Sequence, residues 1–178
     1  MLSPWFALGV CPWHHVATSS PAHEEGEDAV STEENKALVR RFVDEVQSRG
    51  NIDALDEICT PEFVNHSAPP GVPSNREGVK QLTAMFRQAF PDSYFTIEDM
   101  MAEGEKVGTR KTFHGTHQGE FMGIPPTGQQ VSMGLIDIVR IADGRVVEHW
   151  SMADNLGMMQ QLGIVPLPGD TEEASPTY

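Results

Sequence analysis

The stretch Val146–Asp154, VVEHWSMAD, begins as an ordinary core strand and then brings Glu148, His149, Ser151 and Asp154 together. Imidazole is the side chain whose ordinary titration falls near neutral pH, so a His on a buried strand suits the giving and taking of a proton. Such a group works best beside a carboxylate that holds its ring and balances the charge it gains. Asp154 has the place of a helix cap, and Glu148, adjacent to His149, points to the other face of a strand. Asp137, on the strand before, is the remaining acidic partner.

Whether Asp137 meets His149 depends on the turn at Ala142-Asp143-Gly144. A three-residue loop with a glycine bulge asks only Gly144 to adopt positive φ, whereas a two-residue type I′ turn asks it of Asp143 as well. The cheaper first form pairs Ile141 with Arg145 and sets Asp137 opposite His149 and Leu135 opposite Ser151. In the two-residue form Asp137 would pair with Trp150 and lie away from His149.

The elements that must hold these residues change period once. Ser31-Thr32-Glu33-Glu34 has the form of a capping box, and Leu38, Val39, Phe42, Val43 and Val46 follow at helical spacing until Arg49-Gly50. Ile52, Leu55 and Ile58 mark a short second helix, and Glu62–His66 reads as an extended segment. Ser74-Asn75-Arg76-Glu77 looks like another capping box, opening a third helix that carries Val79, Leu82, Met85, Phe86 and Phe90 and closes at Pro91. Beyond Pro91 the period is two. Strands are expected around Phe95–Asp99, Val107–Thr116, Val131–Ile141 and the VVEHW segment, followed by a short helix with Leu156, Met159 and Leu162. Helices followed by an antiparallel meander define an α+β plan, one curved sheet packed on helices.

The expected organisation is a mobile extension over residues 1–30, a folded body over 31–165 and a loose tail over 166–178. The 178 residues, 39% hydrophobic, suffice for one domain with a substantial core. A net charge of −14 disfavours nucleic acid and anionic lipid as partners, leaving a small hydrophobic molecule as the expected ligand. Cys11 and Cys59 indicate neither a disulfide framework nor a zinc site, which fits a reducing, cytoplasmic setting. The apolar run near the N-terminus has no preceding Lys or Arg and is broken by prolines, so neither a signal peptide nor a membrane span is expected. His114 and His117 project to opposite faces of a strand, so no metal is expected. No cofactor is expected either, for no glycine-rich phosphate loop is present.

The order FVNH, GTHQGEFMGIPPTG, DIVRIADGRVVEHW and LGMMQQLG, spread over about residues 32–165, resembles the SnoaL-like polyketide cyclase and ester cyclase group of the nuclear transport factor 2-like superfamily. The resemblance implies a cone-shaped α+β fold, a deep apolar pocket between the curved sheet and its N-terminal helices, and a homodimer. In the resembling cyclases a His on the last strand is followed two residues later by an Asp that serves as acid and base in an intramolecular aldol closure. Here the His is His149 and the second position is Ser151, whose hydroxyl cannot abstract a proton unaided.

Two functions follow from these residues. One is a cofactor-independent cyclase or isomerase in which His149 and Asp137 transfer a proton on a hydrophobic carbonyl compound. The other is a non-catalytic protein that binds a small molecule in the same pocket. The expected lining is Asn65 or His66 at the mouth, Arg110 and Thr112 from one strand face, and Phe86, Met133 and Ser151. Arg110 reads equally as a surface ion pair. Ile136, Ile138 and Trp150 lie on the face away from His149, the expected dimer surface.

Overall fold

The computed structural model describes residues 31–166; the extension expected over 1–30 and the tail from 167 onward, with Cys11, lie outside the described residues. At the first helix the capping box forms as the sequence requires. Ser31 Oγ accepts the Glu34 N–H at 3.2 Å, and Glu34 Oε2 accepts the Ser31 N–H at 3.0 Å. It opens α1 (Thr32–Arg41), which continues without a break into a π-helical segment, Phe42–Ser48. Here an N–H reaches five residues back, as Arg49 does to the Asp44 carbonyl. The wide turn buries Phe42, Val43 and Val46 and leaves Gln47 to reach the sheet.

A 3₁₀ turn at Ile52–Ala54 leads into α2 (Leu55–Ile58), β1 (Cys59–Asn65) and α3 (Arg76–Ala89). The cap of α3 is Asn75, one residue later than the Ser74-to-Glu77 pattern suggests. Its Oδ1 accepts the N–H groups of Glu77 and Gly78, while the Ser74 carbonyl takes the Asn65 N–H at 2.7 Å. β2 (Tyr94–Glu103), β3 (Lys106–Thr116), β4 (Gln130–Ala142) and β5 (Arg145–Ala153) form the meander, and α4 (Asn155–Gln161) follows with Asp154 as its cap. The strand order is β1-β5-β4-β3-β2. The expected all-antiparallel sheet is corrected at one edge, where β1 lies parallel to β5.

The β4–β5 turn differs from expectation, with a consequence for the site. Asp143 (φ 50°) and Gly144 (φ 68°) both take the left-handed conformation, pairing Ala142 with Arg145 and Ile141 with Val146. This is the two-residue turn. Asp is among the few residues whose short polar side chain makes positive φ tolerable. A bulge then leaves Val147 unpaired, so that Arg140 meets Glu148, Val139 meets His149 and Asp137 meets Ser151. The extra residue reverses the parity that the turn alone would impose. Asp137, Ser151 and His149 therefore share a face, with Asp137 diagonal to His149.

That inner face carries two apolar clusters. Phe42, Val43, Val46, Phe63, Val107 and Val139 belong to one. Phe90, Phe113, Phe121, Met133, Met158 and Leu162 belong to the other. Between them, at the seam, the buried polar residues Lys111, Asp137 and His149 interrupt β3, β4 and β5. Among the described residues no helix is long and apolar enough to cross a membrane.

Phe113 is the aromatic hub of the second cluster, with ring centroids 5.3 to 5.5 Å from those of Phe86, Phe90 and Phe95. Phe113→Ala is expected to cost about 3–5 kcal/mol of stability in urea unfolding. A loss below about 1 kcal/mol would show that this cluster does not support the seam.

Candidate functional site

The site is a single carboxylate with three claimants. Asp137, 4% exposed, accepts the Ser151 hydroxyl on Oδ1 at 2.6 Å, and its Oδ2 forms an ion pair with Lys111 Nζ. His149 Nε2 lies 3.2 Å from the same Oδ2. Lys111, 1% exposed, also donates to Gln47 Oε1 at 2.6 Å and stands 4.9 Å from the centre of the Phe95 ring. Each strand supplies its member by alternation: Lys111 is in phase with Val107 and Phe113, and Asp137 with Met133 and Val139.

Asn65 fixes the tautomer of His149. Asn65 Oδ1 accepts the Ser67 N–H at 3.1 Å, which identifies that atom as the amide oxygen, and His149 Nδ1 lies 3.2 Å from it. Nδ1 must therefore carry the hydrogen, and in the neutral ring Nε2 holds the lone pair. The expectation that a carboxylate holds the ring is corrected: the Asn65 amide orients it. Nε2 is buried and makes no hydrogen bond, although Asp137 Oδ2 lies 3.2 Å away. A proton arriving at Nε2 would be stabilised by the carboxylate beside it.

Burial alone would raise the Asp137 carboxyl, but Lys111, joined by the His149 ring when Nε2 carries a proton, outweighs that and holds it well below the usual carboxylate range. Asp137 is thus a fixed negative charge.

The other predicted residues separate cleanly by face. Asn65 is buried on the inner side, whereas His66 turns outward, stacks on Trp150 at 4.6 Å and lies 3.0 Å from Glu148 Oε1. Arg110 and Thr112 are placed on the outer face, away from His149. Arg110 pairs with Asp99 at 2.6 Å, and Thr112 donates to Glu98 at 2.9 Å. Phe86 and Met133 pack in the second apolar cluster. An open groove of about 420 Å³ also lies on the outer sheet, lined by Arg110, Thr112, Ile136 and Met152 among others. Leu135 and Ala153, two residues from Asp137 and Ser151 on the same face, are half-buried and, like Met85 and Phe86 of α3, form an apolar margin against that cluster. Among the described residues no cluster of three or more His, Cys, Asp or Glu could hold a metal. Lys111 and Gln47 are the members that sequence reasoning missed. The phase of Val107 and Phe113 pointed to Lys111, whereas Gln47 depends on a π-helical turn that no residue pattern announces.

A helical N-terminal half wrapped on a curved sheet, with polar residues held on its inner face, is the architecture of the nuclear transport factor 2-like folds. TsrD from Streptomyces laurentii shares it with a TM-score of 0.70 and 32% identity, over 76% of this chain and 99% of that one. The aklanonic acid methyl ester cyclase DauD of Streptomyces sp. (strain C5) is 32% identical over 129 residues, 71% of this chain and 80% of the relative. The nogalonic acid methyl ester cyclase of Streptomyces nogalater is 29% identical over 123 residues, 68% and 91% of the two chains. The model of the SnoaL-like polyketide cyclases matches residues 37–162, and the chain belongs to that family.

Asp137→Asn would leave Lys111 a buried cation without its counter-charge, at an expected cost of about 3–5 kcal/mol. The wild-type carboxyl is depressed in the folded state, so its contribution is complete above the unfolded value of about 3.9 and is lost as pH falls below it. Stability measured from pH 6 to pH 2 should therefore fall more steeply in the wild type than in Asp137→Asn. Equal slopes would contradict the depressed carboxyl.

Proposed function

We propose that this protein is a cofactor-independent cyclase in which His149 Nε2 acts as the base on a hydrophobic carbonyl compound of the polyketide class. The observation that carries the reading is the buried, unpartnered Nε2 set against a fixed carboxylate. Membership of the family and the methyl ester cyclase activities of the relatives support it. In this scheme Nε2 takes a proton from the carbon next to a carbonyl, so a C–H bond breaks and an N–H bond forms. The enolate attacks a second carbonyl of the same molecule, making the ring C–C bond. The resulting alkoxide recovers the proton from the imidazolium, and His149 returns to its starting state. Asn65 holds the ring, Asp137 balances the transient charge, and the apolar margin beside Ser151 receives the substrate and keeps water from the enolate.

Nogalonic acid methyl ester and aklanonic acid methyl ester are the first probes. Ring closure by the wild type and a loss of about 10²- to 10⁴-fold in kcat on His149→Ala are expected. Saturable binding with no closure would instead favour a binding protein. Closure unaffected by His149→Ala would remove the imidazole from the reaction.

A homodimer through the outer sheet face belongs to the same reading, since Ile136 (58% exposed) and Met152 (78% exposed) need cover there. Light scattering at micromolar concentration should give twice the chain mass, and a monomeric mass would count against it.

A further inference from the structure

We propose that Lys111, held against Asp137 with the help of Gln47 from the π-helical segment, is the positioning residue that keeps His149 ready to accept a proton. The inference rests on the reading of His149 as the base, and it concerns a residue that acts on the ring through Asp137.

The geometry is that of one anion between two groups able to carry positive charge. Asp137 Oδ2 is shared by Lys111 Nζ and His149 Nε2, and both neighbours are buried. In so dry a site a carboxylate neutralises one full positive charge; a second would leave the cluster with an uncompensated cation. Lys111 fills that role permanently. The other groups facing the pair are uncharged: Gln47 and Phe42 from the helical side, Asn65 from β1 and Ser151 from β5. No further side chain on these contacts offsets a positive ring.

With Lys111 in place, the imidazole is discouraged from charging until a negative charge forms beside it. The enolate of the proposed reaction supplies that charge as the proton reaches Nε2, so the cluster favours the proton-transfer product over a resting imidazolium. Without Lys111, the Asp137–His149 pair would hold an extra proton at rest, wherever along the pair it sits. The lysine thus governs which pH leaves the base free. Gln47 contributes by accepting a hydrogen bond from the same ammonium, from a position made available by the wide turn of Phe42–Ser48.

The test is an NMR pH titration of the His149 Cε1–H signal, assigned by its loss in His149→Ala, in the wild type and in Lys111→Met. Methionine keeps the contact with Phe95 and removes the charge. The midpoint should rise by about one pH unit or more in Lys111→Met. The acid limb of kcat should move with it. A folded Lys111→Met whose midpoint is unchanged or lower overturns the proposal. Should Lys111→Met fail to fold, Gln47→Glu, which draws the ammonium away from Asp137 at a half-buried position, should give a smaller shift in the same direction; no shift there overturns it. Absence of ring closure in the wild type would count against the proposed function alone, because the titration needs no substrate.

Discussion

The sharing of the Asp137 carboxylate among Lys111, His149 and Ser151 is the constraint on which the inner face of this protein depends. Burying a lysine is costly unless it is paired, and burying a carboxylate is costly for the same reason. Each therefore obliges the other to stay where it is. Because the two residues come from adjacent strands, the pair also locks β3 to β4 at one register. The seam between the two apolar clusters is closed by charge, with hydrophobic contacts on either side.

The same constraint divides the labour within the site. A carboxylate fixed below its ordinary range is a poor proton acceptor, so in the proposed reaction that task falls to the imidazole. Asn65 sets the ring's tautomer from β1, the strand that joins the sheet parallel to β5 and brings the amide alongside His149. The parallel edge strand thus has a chemical consequence as well as a structural one. Ser151, where the resembling cyclases place an aspartate, donates its hydroxyl to Asp137 and leaves that carboxylate without a second anion beside it.

Much of the plan was legible in the sequence. The Ser31 capping box, the helices before Pro91 and the meander after it follow from residue periodicity and turn chemistry, which are local. Register was not legible, because two departures compensate. Asp143 accepts the positive φ that the cheaper three-residue loop would avoid, and the bulge at Val147 then returns Asp137 to the face of His149. The common face was anticipated, but through a pairing that does not form. Arg110 and Thr112 drew attention as polar residues on a strand, yet the alternation of Val107, Thr109, Lys111 and Phe113 marks Lys111 as the inward one. A buried lysine runs against the ordinary expectation for its type, and only its partner on the next strand makes it intelligible.

The proposed reaction requires His149 at rest to carry its hydrogen on Nδ1, toward Asn65, with Nε2 free beside the Asp137 carboxylate. Long-range ¹H–¹⁵N NMR of the histidine rings in the wild-type protein at neutral pH reads this directly. A protonated, pyrrole-like Nδ1 and an unprotonated, pyridine-like Nε2 are expected for His149. A ring that carries its hydrogen on Nε2, or on both nitrogens, would contradict it.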